Sequence, residues 1–202
     1  MSDPKIESPR RRPKGDKRAR TRAALIQVAA QLVEEKGYEA TTLQEVARRA
    51  GMSNGAIYGN FKNRDDLFIA LSEAYWAPIK PKFVPGSTFA EKMRAYAEAT
   101  IAVIPERRQV AVGFLTGRAY ALGHEAIRAK AEAITAASYN AGADWLRAVA
   151  DPSELPMPPD TLVRVIHALT EGLLLQRFLN PDLVPDEVFY AAFAALAIEP
   201  ES

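Results

Sequence analysis

The chain contains no cysteine, which excludes disulfides, thiolate nucleophiles and cysteine-ligated zinc together. Histidine is nearly as scarce: only His124 and His167 occur, and a metal site is not expected from so few ligands. His167 and Glu171 stand four apart on one helical face, which reads as a buried His–Glu hydrogen bond or a polar lining to a cavity. No Ser/His/Asp order, phosphate-cradling glycine loop or zinc-hydrolase motif is present, so the sequence points to no enzyme and no cofactor. No apolar run approaches the ~20 residues that cross a bilayer. Met1 to Arg22 lacks the apolar stretch of a secretory signal, so a cytoplasmic protein without a membrane partner is expected.

What is present is alanine and charge, unevenly placed. The length of 202 residues suits one to two domains at ~150 residues each. The net charge of +1 hides an asymmetry. Residues 1–64 hold 14 Lys and Arg against 7 Asp and Glu, whereas residues 65–202 hold 12 against 18. A basic head on an acidic body implies an anionic partner for the head alone, nucleic acid or membrane surface by charge. The arm from Arg10 to Arg20 has no apolar face to insert into lipid. It could be a solvated tail, or it could follow a phosphate backbone or enter a minor groove.

Alanine occurs 36 times, in long stretches without breakers, which is a helical composition. The 14 prolines cluster between those stretches, and no segment alternates long enough to argue for a sheet. The expected fold is all-α, with about nine helices whose ends carry an uncertainty of ~2–4 residues. They fall near Arg18–Lys36, Leu43–Ala50, Asn54–Asn60, Asp65–Trp76, Thr88–Ile104, Glu106–Leu122, Glu125–Ala150, Asp160–Leu179 and Asp186–Ala197. The first ~17 residues are poor in apolar side chains and are expected to be disordered.

The informative stretch is Thr41 to Phe68, TTLQEVARRAGMSNGAIYGNFKNRDDLF. Thr42 followed by Glu45 reads as a capping box, and Leu43, Val46, Ala47 and Ala50 make an apolar face. Gly51 can stop that helix in a left-handed conformation. Ser53 then caps a second short helix whose Ile57 and Phe61 turn inward. Two short helices joined by Gly51-Met52-Ser53 form a helix-turn-helix. Gly55 and Gly59 are costly inside a helix, by ~1 kcal/mol each relative to alanine, unless the helix must approach another surface closely. Asparagines on the outer face can read adenine, and a tyrosine hydroxyl can reach phosphate.

With its Gly37-Tyr38, Thr41-Thr42, Ala50-Gly51-Met52-Ser53 and Tyr58-x-x-Phe61 elements, residues 18–71 resemble the tetracycline-repressor (TetR) family of transcriptional regulators. Gly59 departs from the larger or polar residue that many members carry there. The resemblance implies a basic arm over residues 1–17, a DNA-binding domain over 18–67 and a helical regulatory and dimerisation domain over 68–202. It places Asn54, Gly55, Ala56, Tyr58 and Asn60 in or beside the major groove. It gives phosphate contacts to Thr42, Tyr58, Lys62 and Arg64, and makes Ser53 a cap of the recognition helix at the DNA backbone.

Tyr96, Thr100, Phe114, Arg118, Tyr120, Tyr139, Trp145, His167 and Glu171 interrupt the apolar faces of the later helices and are candidates for a small-molecule pocket. The last two helices, apolar nearly all round at the end, must be covered, and the resemblance implies a four-helix bundle between two copies. Double-stranded operator DNA, a small effector and a second copy are the implied partners. Repression relieved by the effector is the expected function. The alternatives are a helical small-molecule-binding protein without a DNA role and an architectural DNA binder.

Overall fold

The computed structural model describes residues 14–197; the arm upstream of Lys14 lies outside the described residues. Nine α-helices and one 3-10 turn, and no strand, occur among them. Contacts divide the chain into two units between Leu71 and Ser72.

In the first unit, α1 (Lys14–Lys36) presents Leu25, Ala29, Leu32 and Val33 to the core, and Gly37 ends it at φ 82°. The helix begins four residues ahead of the expected Arg18, so residues 14–17 are helical rather than part of a disordered arm. α2 (Leu43–Arg49) buries Leu43, Val46 and Ala47. α3 (Asn54–Tyr58) buries Ile57, with Phe61 just beyond it. α4 (Arg64–Tyr75) closes the unit through Leu67, Phe68, Ala70 and Leu71, with Phe68 tilted against Tyr38 at 4.3 Å. Thr42 caps α2, but Glu45 turns its carboxylate to Lys36 rather than completing the expected box. The reciprocal capping box occurs instead at Thr88 and Glu91, where no such motif was expected.

In the second unit, α5 (Phe89–Ala102) packs on α9 (Asp186–Ala194), and α7 (Glu125–Val149) packs on α8 (Pro159–Leu179). Phe89, Met93, Ala97, Leu146, Leu162, Leu174, Phe189 and Phe193 fill the space between them. α6 (Ile104–Gly123) follows α5 after the single residue Val103, with Pro105 in its first turn. Proline belongs there because its missing N–H has no helical partner at that position. The segment before α8 holds a 3-10 turn at Pro152–Glu154, capped by Asp151. Gly142 lets α7 and α8 approach closely: a Cβ at that position would stand 2.5 Å from a methyl of Val163.

Candidate nucleic-acid interface and effector region

The helix-turn-helix is built from backbone chemistry first. The Thr42 hydroxyl accepts from the Glu45 N–H at 3.3 Å, and the Ser53 hydroxyl accepts from the Ala56 N–H at 3.2 Å. Between them Gly51 takes φ 64°, a conformation open to glycine at little cost. Ile57 and Phe61 anchor the inner side of α3, which leaves Asn54, Gly55 and Tyr58 exposed and Ala56 half-buried. α3 ends at Tyr58, so Gly59 is its C-cap rather than an interior glycine, and the interior-helix penalty falls on Gly55 alone.

Three side chains outside the expected set hold this surface. Gln44 Nε2 donates to the Tyr58 hydroxyl at 2.7 Å, joining α2 to α3. From α1, Arg18 donates to the Gly59 carbonyl and Arg22 to the Asn60 carbonyl, both at 3.1 Å. Arg22 also lies 4.6 Å above the Phe61 ring. These cations meet the negative end of α3, where helical carbonyls lack partners. At the other end of the unit, Arg49 grips Glu35 with both guanidinium nitrogens at 2.5 Å, and that hydrogen bond holds the Glu35 carboxyl below its ordinary pKa.

Of the sequence-predicted residues, Thr42, Ser53, Asn54, Gly55, Tyr58 and Lys62 are exposed. Asn60 and Arg64 are engaged within the head. The Asn60 amide donates back to the Ala56 carbonyl at 2.8 Å, and Arg64 donates to the Glu39 carbonyl at 2.9 Å while covering the Tyr38 ring.

In the second unit the nine pocket candidates do not converge as one set. Four join in sequence across α6, α8 and α7: Arg118 pairs with Glu171, Glu171 meets His167 Nε2 at 3.3 Å, and His167 Nδ1 meets the Tyr139 hydroxyl at 2.9 Å. Phe114 joins them beneath Arg118, 4.8 Å from its guanidinium, and stacks on Trp76 at 3.6 Å. Burial pushes the Glu171 pKa up, but the His167 hydrogen bond and the charges of Arg118, His167 and Arg107 outweigh it and hold the carboxyl below its ordinary value. Burial raises the Tyr96 hydroxyl, opposed by the Thr170 hydroxyl and the Arg107 charge. Thr100 donates to the Tyr96 carbonyl within α5, Tyr120 stacks on His124, and Trp145 stacks on Phe83. Among the described residues no group of three or more His, Asp or Glu could hold a metal.

Residues 25–71 match the family model of bacterial regulatory proteins, tetR family. That segment, about a quarter of the chain, is similar to the tetR family of bacterial regulatory proteins. The transcriptional regulator AcrR of Shigella flexneri is 42% identical over 53 residues, covering 26% of this chain and 25% of that protein. The chain thus spans about a quarter of the length of curated relatives it matches. A Rhodococcus sp. protein described as a TetR-family transcriptional regulator superposes with TM-score 0.67 at 22% identity, covering 88% of this chain and 96% of that one. SmeT, solved as a complex with triclosan, superposes with TM-score 0.56 at 17% identity over 89% of this chain and 92% of its own. At these identities the two structures share the all-helical fold.

The sequence of the head carried a signal for two further arginines. Arg18 and Arg22 continue, at helical spacing, the stripe of Leu25, Ala29 and Leu32 toward the start of α1, where Arg18 is exposed and Arg22 half-buried. Arg107 also escaped the sequence reading. It is a cation in the first turn of α6, facing the positive end of the helix dipole, and only 6% exposed.

Proposed function

We propose that the chain is a ligand-responsive transcriptional repressor that binds a pseudo-palindromic operator as a homodimer and leaves it on binding a small molecule. The observation that carries this reading is the outer face of α3: exposed Asn54, Gly55 and Tyr58, on a helix pinned from behind by Ile57 and Phe61. Small and amide side chains let such a helix enter a major groove and bond to base edges. Asn54, Gly55, Ala56 and Tyr58 face bases, Thr42, Tyr58 and Lys62 meet phosphates, and Ser53 holds the helix start. Asn60 and Arg64 shape the head from within.

Dimerisation through α8 and α9 is supported by their outer faces. Ala168, Gly172, Leu179, Val188, Ala191 and Ala195 are exposed there, and small residues allow helices of two copies to pack closely. A two-fold pair places its recognition helices about 34–36 Å apart, one turn of DNA, or at a multiple of that spacing. The effector reading is supported by the polar groups inside the second unit and by the triclosan complex of SmeT. Such a ligand shifts operator affinity only by its preference for one arrangement of the dimer. α4 is continuous across residues 71 and 72, which makes it the covalent route between the two units.

The test is selection of duplexes from a random pool by the full-length protein, followed by sedimentation of the free protein. An enriched inverted repeat and a dimer are expected. A pool without a shared motif, or a solitary molecule at micromolar concentration, sinks the reading.

A further inference from the structure

Two neighbouring donors inside the second unit, on Arg107 and Trp76, are short of acceptors. Arg107 is 6% exposed; its guanidinium donates to the Ala77 carbonyl and lies 4.9 Å from the centre of the Trp76 ring. The two carboxylates that act on it are Glu106, exposed on the surface, and Glu171, which Arg118 and His167 already engage. Burial depresses the Arg107 pKa, the sign of a cation short of compensation. Beside it, Trp76 Nε1 is buried without a hydrogen-bond partner. A buried cation lacking its own carboxylate, and a buried orphan N–H on the ring that this cation covers, both ask for the same missing group: an acceptor.

The surroundings specify what carries that acceptor. Trp76 stacks on Phe114 with an interplanar angle of 9° and meets the edge of Phe178 at 6.3 Å. A flat ring entering among these exchanges one aromatic contact for another at little cost, so the affinity rests on the charged end. We propose that Arg107 and Trp76 form an anion site whose ligand, the effector, is a planar aromatic carboxylic acid. Its carboxylate accepts from the Arg107 guanidinium and the Trp76 indole N–H, and its ring lies against Trp76, Phe114 and Phe178. The inference rests on the repressor reading, because it names the chemistry of that repressor's effector. A guanidinium that merely straps the Ala77 carbonyl to α6 makes no distinction between an acid and its amide.

The experiment is calorimetric titration of the full-length protein with 2-naphthoate and, in parallel, 2-naphthamide, followed by release of the selected duplex. The acid is expected to bind at least about tenfold more tightly than the amide. Arg107→Met removes that preference, and Trp76→Phe weakens the acid several-fold. Equal affinity for acid and amide, an unchanged ratio in Arg107→Met, or no heat with either at millimolar concentration overturns the site. If Arg107→Met does not fold, the wild-type ratio and Trp76→Phe decide, and undiminished acid binding by Trp76→Phe overturns it. An acid that binds yet leaves the duplex occupied overturns its role as effector. Failure of this inference leaves duplex selection by the unliganded protein intact, whereas failure of the repressor reading appears as no selected duplex at all.

Discussion

Two exposed side chains of the proposed DNA-binding surface differ in what they can read. Asn54 offers an amide at the start of α3, and Lys62 offers a point charge beyond its end. Asn54→Ala is expected to cost about 1–3 kcal/mol on the preferred duplex and to relax discrimination at one base position. Lys62→Ala should weaken all duplexes alike and lower the salt slope of binding by about 1. Competition binding at several salt concentrations checks both, and unchanged discrimination in Asn54→Ala removes it from base readout. Gln44 acts one step back. By donating to the Tyr58 oxygen it leaves the phenolic proton to be given elsewhere, which suits a phosphate acceptor. Gln44→Ala and Tyr58→Phe should therefore be non-additive, with a coupling of at least about 0.5 kcal/mol in a double-mutant cycle on duplex affinity.

At the level of elements, α3 is a helix of five residues, too short to persist alone. Its shape is imposed from outside: by the Ser53 hydroxyl at its start, by the left-handed Gly51 before it and by Arg18 and Arg22 on the carbonyls after it. Ser53→Ala should lower stability by about 1 kcal/mol through loss of the cap. Gly51→Ala should lower it by about 1–2 kcal/mol, because φ 64° brings a Cβ against the backbone although the space around it is open. Urea denaturation followed by circular dichroism measures both. A neutral Gly51→Ala contradicts the role given to the turn.

For the molecule as a whole, two interactions can be tested without DNA. Ala191 is exposed on the outer side of α9, so Ala191→Arg should leave each chain folded while separating the proposed pair. Sedimentation should then report single chains, and a persistent dimer moves the interface elsewhere. The Glu171 network is sensitive to acid. Because its pKa is lowered on folding, its contribution is present above its ordinary value of 4.5 and is lost as pH falls below that. Glu171→Gln should reduce the melting temperature at pH 7, and the gap from the native protein should close on acidification through about pH 4. A gap constant from pH 7 to pH 4 contradicts the assigned charge state.

Local chemistry made much of this protein readable from its residues. Proline spacing, the capping Ser53 and Thr42, and glycine after an apolar helix act within a few residues of themselves, so they marked the helices and the turn between α2 and α3. Inward positions such as Leu25, Ile57 and Phe61 followed from periodicity for the same reason. Partnerships between distant side chains were not readable. The grip of Arg18 and Arg22 on carbonyls some forty residues away and the meeting of Arg107 with Trp76 depend on how helices cross. A hydrogen bond or an ion pair is decided by ångström distances in three dimensions, which spacing along a chain does not contain.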